Sequence, residues 1–447
     1  MDNILIIGLG ALAKAFLEVV KLEKIHIEKI TAIDPKPYEP WVQQMYPQLE
    51  YKQIGLNFRN MSKILTPLLN VSKKPFVFDL SVDVDCIPII KLCKKFDCVY
   101  LNTSIESWAD KTPWILKTSP KDLYDRSLYK RQIEVENLLG HKKTSTILTN
   151  HGQNPGMVSS YVKRGLIDFA KKHGTKDDKQ LAKGLDSGKI KQIEFCKLAK
   201  SLGLEEIHIS ELDTQTFYTK FEKDHFYSTW SAVGFIAESL DPVQMGWGSN
   251  RPRDEGFRPR EGEGNVRIFP VRGMDAMCKS VVLGSDGNVL EINGMLIPHA
   301  EADTISSFLT DGEYCPSVFY VYQPSSLAFE SLKQLRDKEY HPPPHEKCHV
   351  MTNDEVRSGF DSVGTLLLFK NGKTHWCGSV VDCEFSRKLG FKHSNPTIVQ
   401  VAAGVWSATK WLQTHKHSGY SEPEELNFNK ILEFAMPYLG NFYSKTL

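Results

Sequence analysis

The sequence predicts an α/β protein with a parallel sheet over residues 1–150 and an α+β unit on a mixed or antiparallel sheet beyond it. Three observations predict this. Short apolar runs alternate with helical patterns through the first 150 residues. Those runs are unbroken and rich in Ile and Val, as strands covered on both faces are. Past residue 265 the apolar period switches toward two, with tight-turn signals between runs.

The strand-like runs are 4–7, 30–33, 76–80, 99–101 and 146–148, and the helical patterns between them are 11–22, 61–69 and 87–96. At Asn154-Pro155 the character changes: Asn154 can cap a helix and Pro155 suits its first turn. Residues 175–191 are polar and read as a surface insertion or lid, and 246–265 as a long irregular loop. Short strands follow at 281–284, 289–292 and 295–297, with Asp286-Gly287 as a turn. A hairpin over 366–369 and 375–381 turns at Asn371-Gly372. Two helices, 396–414 and 424–434, close the chain.

Lys plus Arg (55) balance Asp plus Glu (54), so no basic excess points to nucleic acid or an anionic membrane. The nine cysteines form no CxxC pair, which fits reduced thiols in the cytoplasm. The opening run, Asn3 to Ile7, is too short for a signal sequence, and no later run is long enough to span a bilayer.

Gly8-Leu9-Gly10-Ala11-Leu12-Ala13 joins the first strand to the first helix. Gly8 permits the tight turn, Gly10 lets backbone approach a pyrophosphate, and Ala13 allows close helix–strand packing. The helix start at Ala11 and Leu12 offers N–H groups to the phosphates. Asp34 ends the second strand, where a carboxylate binds a ribose 2′-hydroxyl and repels a 2′-phosphate. These features predict a Rossmann-type domain that binds NAD. Lys36 nearby weakens the preference over NADP. The expected division is 1–150 for this domain, completed by helices within 395–447, and 151–394 for a substrate-binding and dimerisation domain.

Eight later segments carry a resemblance. They are Leu80-Ser81-Val82-Asp83, Asn102-Thr103-Ser104-Ile105-Glu106-Ser107-Trp108, Asn150-His151-Gly152-Gln153-Asn154-Pro155-Gly156-Met157-Val158-Ser159 and Ile207-His208-Ile209-Ser210-Glu211-Leu212-Asp213-Thr214-Gln215. Thr229-Trp230-Ser231, Gly246-Trp247-Gly248, Gly294-Met295-Leu296-Ile297-Pro298-His299 and Phe360-Asp361-Ser362-Val363-Gly364 complete them. In this order they resemble homospermidine synthase, of the saccharopine dehydrogenase-like group. Ser107 and Gln153 depart from the family's proline and alanine.

The resemblance implies a reaction. Bound NAD takes a hydride from an amine-bearing carbon of putrescine, giving an imine. A second amine displaces ammonia there, and the stored hydride returns to give homospermidine. Spermidine serves as an alternative donor, and the protein is expected to be a homodimer.

A diamine is charged at both ends, so a buried site needs carboxylates at both ends. Matching motifs place Asp83, Glu106, Glu211, Glu238 and Asp361 in that role. Some of them also move protons, since an amine must lose its proton before hydride leaves. Trp230 matches an aromatic that holds cations over its ring, worth about 2 kcal/mol when desolvated. Asn154 and His299 match polar positions near the nicotinamide and the reacting carbon, and Ser81, Val82 and Thr103 match the cofactor's surroundings.

Simpler readings stand beside these. Asp83 could cap the helix that starts near Asp85, Glu106 could be a solvated loop acid, and Trp230 could be a core aromatic. Glu238, after Val233-Gly234-Phe235-Ile236-Ala237, lies on an exposed helix face or in the site. His341-Pro342-Pro343-Pro344-His345-Glu346-Lys347-Cys348-His349 looks like a metal site, but its extended backbone lacks a second ligand cluster, and no metal is expected. Arg251, Arg253, Arg258 and Arg260 could bind an anion or be a solvated face. Two competing functions are a saccharopine- or carboxynorspermidine-type dehydrogenase, which needs arginines for a substrate carboxylate, and a non-catalytic cofactor-binding regulator.

Overall fold

The computed structural model describes residues 1, 3–110, 112–116, 118–140, 144–189, 191–252, 255–259 and 265–447. Six strands open the first sheet: β1 (Asn3–Ile7), β2 (Lys29–Asp34), β3 (Leu49–Gln53), β4 (Phe76–Asp79), β5 (Tyr100–Asn102) and β6 (Ile147–Leu148). They lie in the order β3-β2-β1-β4-β5-β6, all parallel. A C-terminal strand, Tyr420–Ser421, extends the sheet beside β6.

Alternation along β1 shows why this strand is central. Ile4 and Ile6 face Phe16, Val19 and Val20 of the helix Ala11–Leu22. Leu5 and Ile7 face Leu65 and Ile89 on the other side. From Ile4 to Ile7 every side chain of this interior strand is thus buried, which is why that stretch carries no polar residue. The chain leaves β1 toward β2 on one side and returns at β4 on the other. A crevice therefore opens at the carboxyl ends of β1 and β4, where such sheets bind ligands.

The second sheet is mixed. Its centre, β7 (Leu204–Asp213), has a parallel neighbour, Ser317–Gln323, and an antiparallel one, Phe360–Phe369. Thr374–Asp382 and Asn441–Thr446 extend one side, and Pro242–Gly246 with Val266–Arg272 the other. The hairpin Met277–Leu283 and Val289–Met295 joins at Ser317–Gln323.

The helix Pro396–Thr414 ties the two sheets together. Asn395 caps it, accepting from the Ile398 N–H at 3.0 Å, a contact worth about 1 kcal/mol. The helix packs on Ala11–Leu22 and, at its other face, on the loop before the helix Met157–His173. A Cβ at Gly404 would sit 2.1 Å from the Gly152 carbonyl oxygen, so helix and loop meet backbone to backbone. That contact fixes the loop that carries Asn154.

Several expectations are corrected. Asn154 does not cap a helix: the helix starts at Met157 with Gly156, at φ 126°, before it. Glycine alone accepts that turn readily, and it releases the Asn154 side chain for another partner. Residues 175–191 are no lid. They contain the helix Lys176–Asp186, whose buried Ala182 and Leu185 pack beside Met157–His173 and whose start carries a Thr175–Asp178 capping box. The expected strand at 295–297 is the end of Val289–Met295, and 424–434 divides into a 3-10 turn, Pro423–Glu425, and the helix Phe428–Ala435. Arg251 binds Glu206 at 2.7 Å rather than an anion, and Arg253 and Arg260 lie outside the described residues. Among the described residues, no helix is long and apolar enough to cross a membrane.

Candidate active site

The turn after β1 has the shape a dinucleotide needs. Gly8 adopts φ 85°, and a Cβ there would lie 2.7 Å from the Leu80 carbonyl oxygen and the Ser81 backbone. The first and fourth strands therefore meet at this point through backbone alone. Gly10 precedes the helix Ala11–Leu22 without a side-chain cap, and a Cβ built on it meets nothing within 4 Å. Ala11 and Leu12 thus present the helix start to open space, a place for a phosphate. Asp34 accepts from the Leu9 N–H with one oxygen and the Lys36 N–H with the other, each at 2.8 Å. Each oxygen keeps a lone pair for a ribose hydroxyl. Ser81 turns back to donate to Asp79 at 2.6 Å, Val82 is exposed at the carboxyl edge of the sheet, and the Thr103 methyl faces Gly152. The residues present fit a dinucleotide along this edge.

Beyond this edge the expected acids form a continuous row. Asp83, in left-handed conformation at φ 60°, does not cap the following helix: Asp85 does, accepting from the Ile87 N–H. Asp83 instead lies 3.8 Å from His345. Glu106 is half-buried at the end of the loop after β5. Burial raises its carboxyl to about 8 against a hydrogen bond from Ser104, and the nearby Glu238 and Asp83 raise it further. It is therefore not a solvated loop acid. Glu238 sits on the helix Ala232–Leu240, which Ser231 caps directly after Trp230.

His299 lies between two carboxylates. Its Nε2 is 3.1 Å from Glu238 and its Nδ1 3.1 Å from the fully buried Glu301. Burial opposes a charge on the ring, but the two acids outweigh it and hold His299 well above its ordinary value. The ring also packs on Tyr320, centroids 4.3 Å apart.

Tyr320 leads to the deep end of the row. Its hydroxyl donates to Glu211 at 2.6 Å, and the Asn154 side-chain amide donates to the same carboxylate oxygen at 2.9 Å. Glu211 and Asp213 lie on β7, and Asp361 pairs with Asp213 across the antiparallel register. Burial raises Glu211 to about 7 and Asp213 to about 6, and Asp361 well above its ordinary range. One oxygen of the fully buried Asp361 has no hydrogen-bond partner. Among the described residues the hydrogen bonds to these carboxyl groups come from Asn154, Tyr320, Ser104, Gln215, Thr229, Thr397, Gln400 and His299, and none comes from lysine or arginine.

Trp230 is half-buried against Phe235, and burial there leaves part of its ring open. All eight of the expected acid, aromatic and polar positions therefore fall along one path. Sequence reasoning passed over Asp213, Glu301 and Tyr320. Asp213 and Glu301 stood within or beside quoted motifs, two residues from Glu211 and His299. For Asp213, strand alternation along β7 puts it on the same face as Glu211, a signal present in the sequence.

The likenesses to known proteins agree with this geometry. The family model for the saccharopine dehydrogenase NADP binding domain matches residues 4–146. A homospermidine synthase of Mesorhizobium japonicum is 27% identical, over 98% of this chain and 88% of its own. Over 98% of its length the chain is similar to homospermidine synthases. The homospermidine synthase of Blastochloris viridis is 26% identical, over 98% of this chain and 89% of its own. The solved structure of homospermidine synthase from Legionella pneumophila, in complex with NAD, has 27% identity and a TM-score of 0.82, covering 100% of this chain and 91% of that one. Saccharopine dehydrogenase from Saccharomyces cerevisiae, at 10% identity and TM-score 0.52 over the whole of both chains, shares the fold.

Proposed function

We infer that this protein is a homospermidine synthase, joining two putrescine molecules, or spermidine and putrescine, with loss of ammonia or diaminopropane. The observation that carries the reading is the row of carboxyl groups without a lysine or arginine partner. A cationic substrate supplies the missing charge, whereas a dehydrogenase acting on an amino or keto acid would need arginines there.

NAD supplies the hydride acceptor and, once reduced, the donor. Gly8, Gly10, Ala11, Leu12 and Asp34 hold its phosphates and ribose, and Ser81, Val82, Thr103 and Asn154 line the nicotinamide end. The acids divide by position. Asp83, Glu106, Glu238 and His299 adjoin the carboxyl edge of the first sheet and serve the reacting amine. Glu238 takes the amine proton, and His299 between Glu238 and Glu301 stabilises the carboxylate that receives it. Glu211, Asp213 and Asp361 lie deeper and hold the distant ammonium. Trp230 faces the cation formed at the reacting carbon. The nine free thiols fit a reducing cytoplasm. The reading includes a homodimer, which sedimentation velocity decides.

Putrescine and NAD incubated with the protein yield homospermidine and ammonia with no net rise in nicotinamide absorbance. Accumulating NADH without a new polyamine would sink the proposal.

Putrescine affinity should rise with pH. The deep acids hold protons in the free protein up to about 7 for Glu211 and about 6 for Asp213, and a bound diamine favours their ionised forms. Their folded values lie above the unfolded ones, so the free protein binds more protons than the unfolded chain between about 4 and those values. These two acids therefore withdraw stability as pH rises through that window, and diamine restores it. Calorimetric titration at pH 6 and pH 8 should show affinity increasing by roughly tenfold or more. A flat profile would mean that these carboxyls do not meet the substrate.

A further inference from the structure

The segment with three consecutive prolines supplies none of the acids of the row and meets it only where His345 faces Asp83; among the described residues no group of three His, Cys, Asp or Glu could hold a metal. Its histidines go separate ways, and where they go is informative.

The segment leaves the second unit after the helix Ser326–Asp337 and returns at the short strand Cys348–Val350. Both ends are fastened. Tyr340 lies under the Arg272 guanidinium, 3.7 Å from the ring centre, and its hydroxyl donates to Asp275 at 3.0 Å. Cys348–Val350 pairs in parallel with Phe226–Ser228, the strand that leads directly to Trp230. Between the anchors, Pro344 holds φ −62° and ψ 153°, the extended polyproline conformation. The three consecutive proline rings, each fixing its own φ, make a stiff bridge without N–H donors.

This bridge contacts the loops of the first sheet in two places and lies within electrostatic reach of a third, all after the carboxyl ends of strands. His341 stacks on Trp114, in the segment after β5, with centroids 4.8 Å apart. His345 faces Asp83, after β4, at 3.8 Å. Cys348 lies within electrostatic reach of Lys36, after β2: burial raises its thiol to about 11, and the Lys36 ammonium draws it down. In the sheet, β1 stands between β4 and β2. A segment that contacts the loop after β4 and comes within electrostatic reach of the loop after β2 runs across the mouth of the turn at Gly8 to Gly10.

We propose that residues 341–348 form a strap over the bound dinucleotide that keeps it from leaving between the two hydride transfers. This rests on the proposed function, because an aminoalkyl transfer must return to the imine the hydride it took, and a released cofactor would end the cycle halfway. A stiff, doubly anchored strap slows release without adding a contact to the reacting atoms.

The test uses the full chain and NAD itself, without substrate. Stopped-flow fluorescence measures NAD release for the unaltered protein and for the combined substitution Pro342→Gly, Pro343→Gly and Pro344→Gly. Because the extended loop could disturb folding, His341→Ala, at an exposed position away from the acids, serves as a second variant. The strap predicts release faster by about tenfold in the first and by a smaller factor in the second, with association little changed. Release rates within about twofold of the unaltered protein in folded variants would overturn it. Failure of the unaltered protein to bind NAD would overturn the proposed function instead, and the strap with it.

Discussion

Replacing Glu211 with glutamine should lower kcat/KM for putrescine by about 10²-fold or more while leaving NAD affinity nearly unchanged. Glutamine keeps the shape, and its oxygen can still accept from Tyr320 and Asn154, as Glu211 does at 2.6 and 2.9 Å. It removes only the charge. If Glu211 holds a buried ammonium, that ammonium loses its partner, and breaking a buried pair costs about 3–5 kcal/mol. The same substitution should stabilise the free protein at pH 8. Above about 7 the buried carboxyl is ionised at the expense of desolvation, with Asp213 and Asp361 nearby, and glutamine is spared this. Lost turnover together with a raised melting temperature is a signature that a general weakening of the fold cannot produce. Unchanged kcat/KM would remove Glu211 from the site.

Gly10→Val is the second large effect, and it acts on the cofactor alone. A Cβ at this position meets nothing within 4 Å, so the folded chain accommodates it. The added methyl groups would occupy the space in front of the helix start, where Ala11 and Leu12 present their N–H groups. NAD affinity should fall by about 10²-fold or more, with a melting temperature close to the parent's. The contrast is Gly8→Val. There φ 85° and the contact with Leu80 at 2.7 Å oppose any side chain, so that variant should lose stability first. Equal NAD binding by Gly10→Val, followed by tryptophan fluorescence, would show that the dinucleotide does not pass this turn.

How much of this was legible depended on the physics each residue obeys. Strands such as Asn3–Ile7 and the helix Pro396–Thr414 announce themselves because burial on both faces demands unbroken apolar runs and helical caps have distinct chemistry. β3 (Leu49–Gln53) went unseen because an edge strand tolerates the sequence Leu-Glu-Tyr-Lys-Gln, which alternates too weakly to stand out. β7 was seen only as a motif, since its acids interrupt the apolar pattern. Those interruptions are the site. Buried acids on a central strand violate the local rule for folding, and a functional site is where such violations are expected.

Within the candidate site, Gly8, Gly10 and Asp34 followed from spacing alone, while the acids needed a resemblance to be chosen among the 54 acidic residues of the chain. What no pattern could give is who partners whom. Asn154 read as a helix cap because asparagine before proline usually is one, and only the packing of Gly404 on Gly152 shows why its amide reaches Glu211 instead. His345 read as a metal ligand or as nothing, because its partner Asp83 lies more than 250 residues away along the chain.

The most direct test follows the hydride. Putrescine carrying deuterium on both amine-bearing carbons is given to the protein with NAD, in the presence of excess free unlabelled NADH. The account predicts homospermidine that keeps every deuterium, because the hydride taken from one carbon returns to that same carbon from a cofactor that never leaves. Homospermidine lacking one deuterium would show the cofactor exchanging mid-reaction. Deuterated NADH accumulating without homospermidine would contradict the account at its centre.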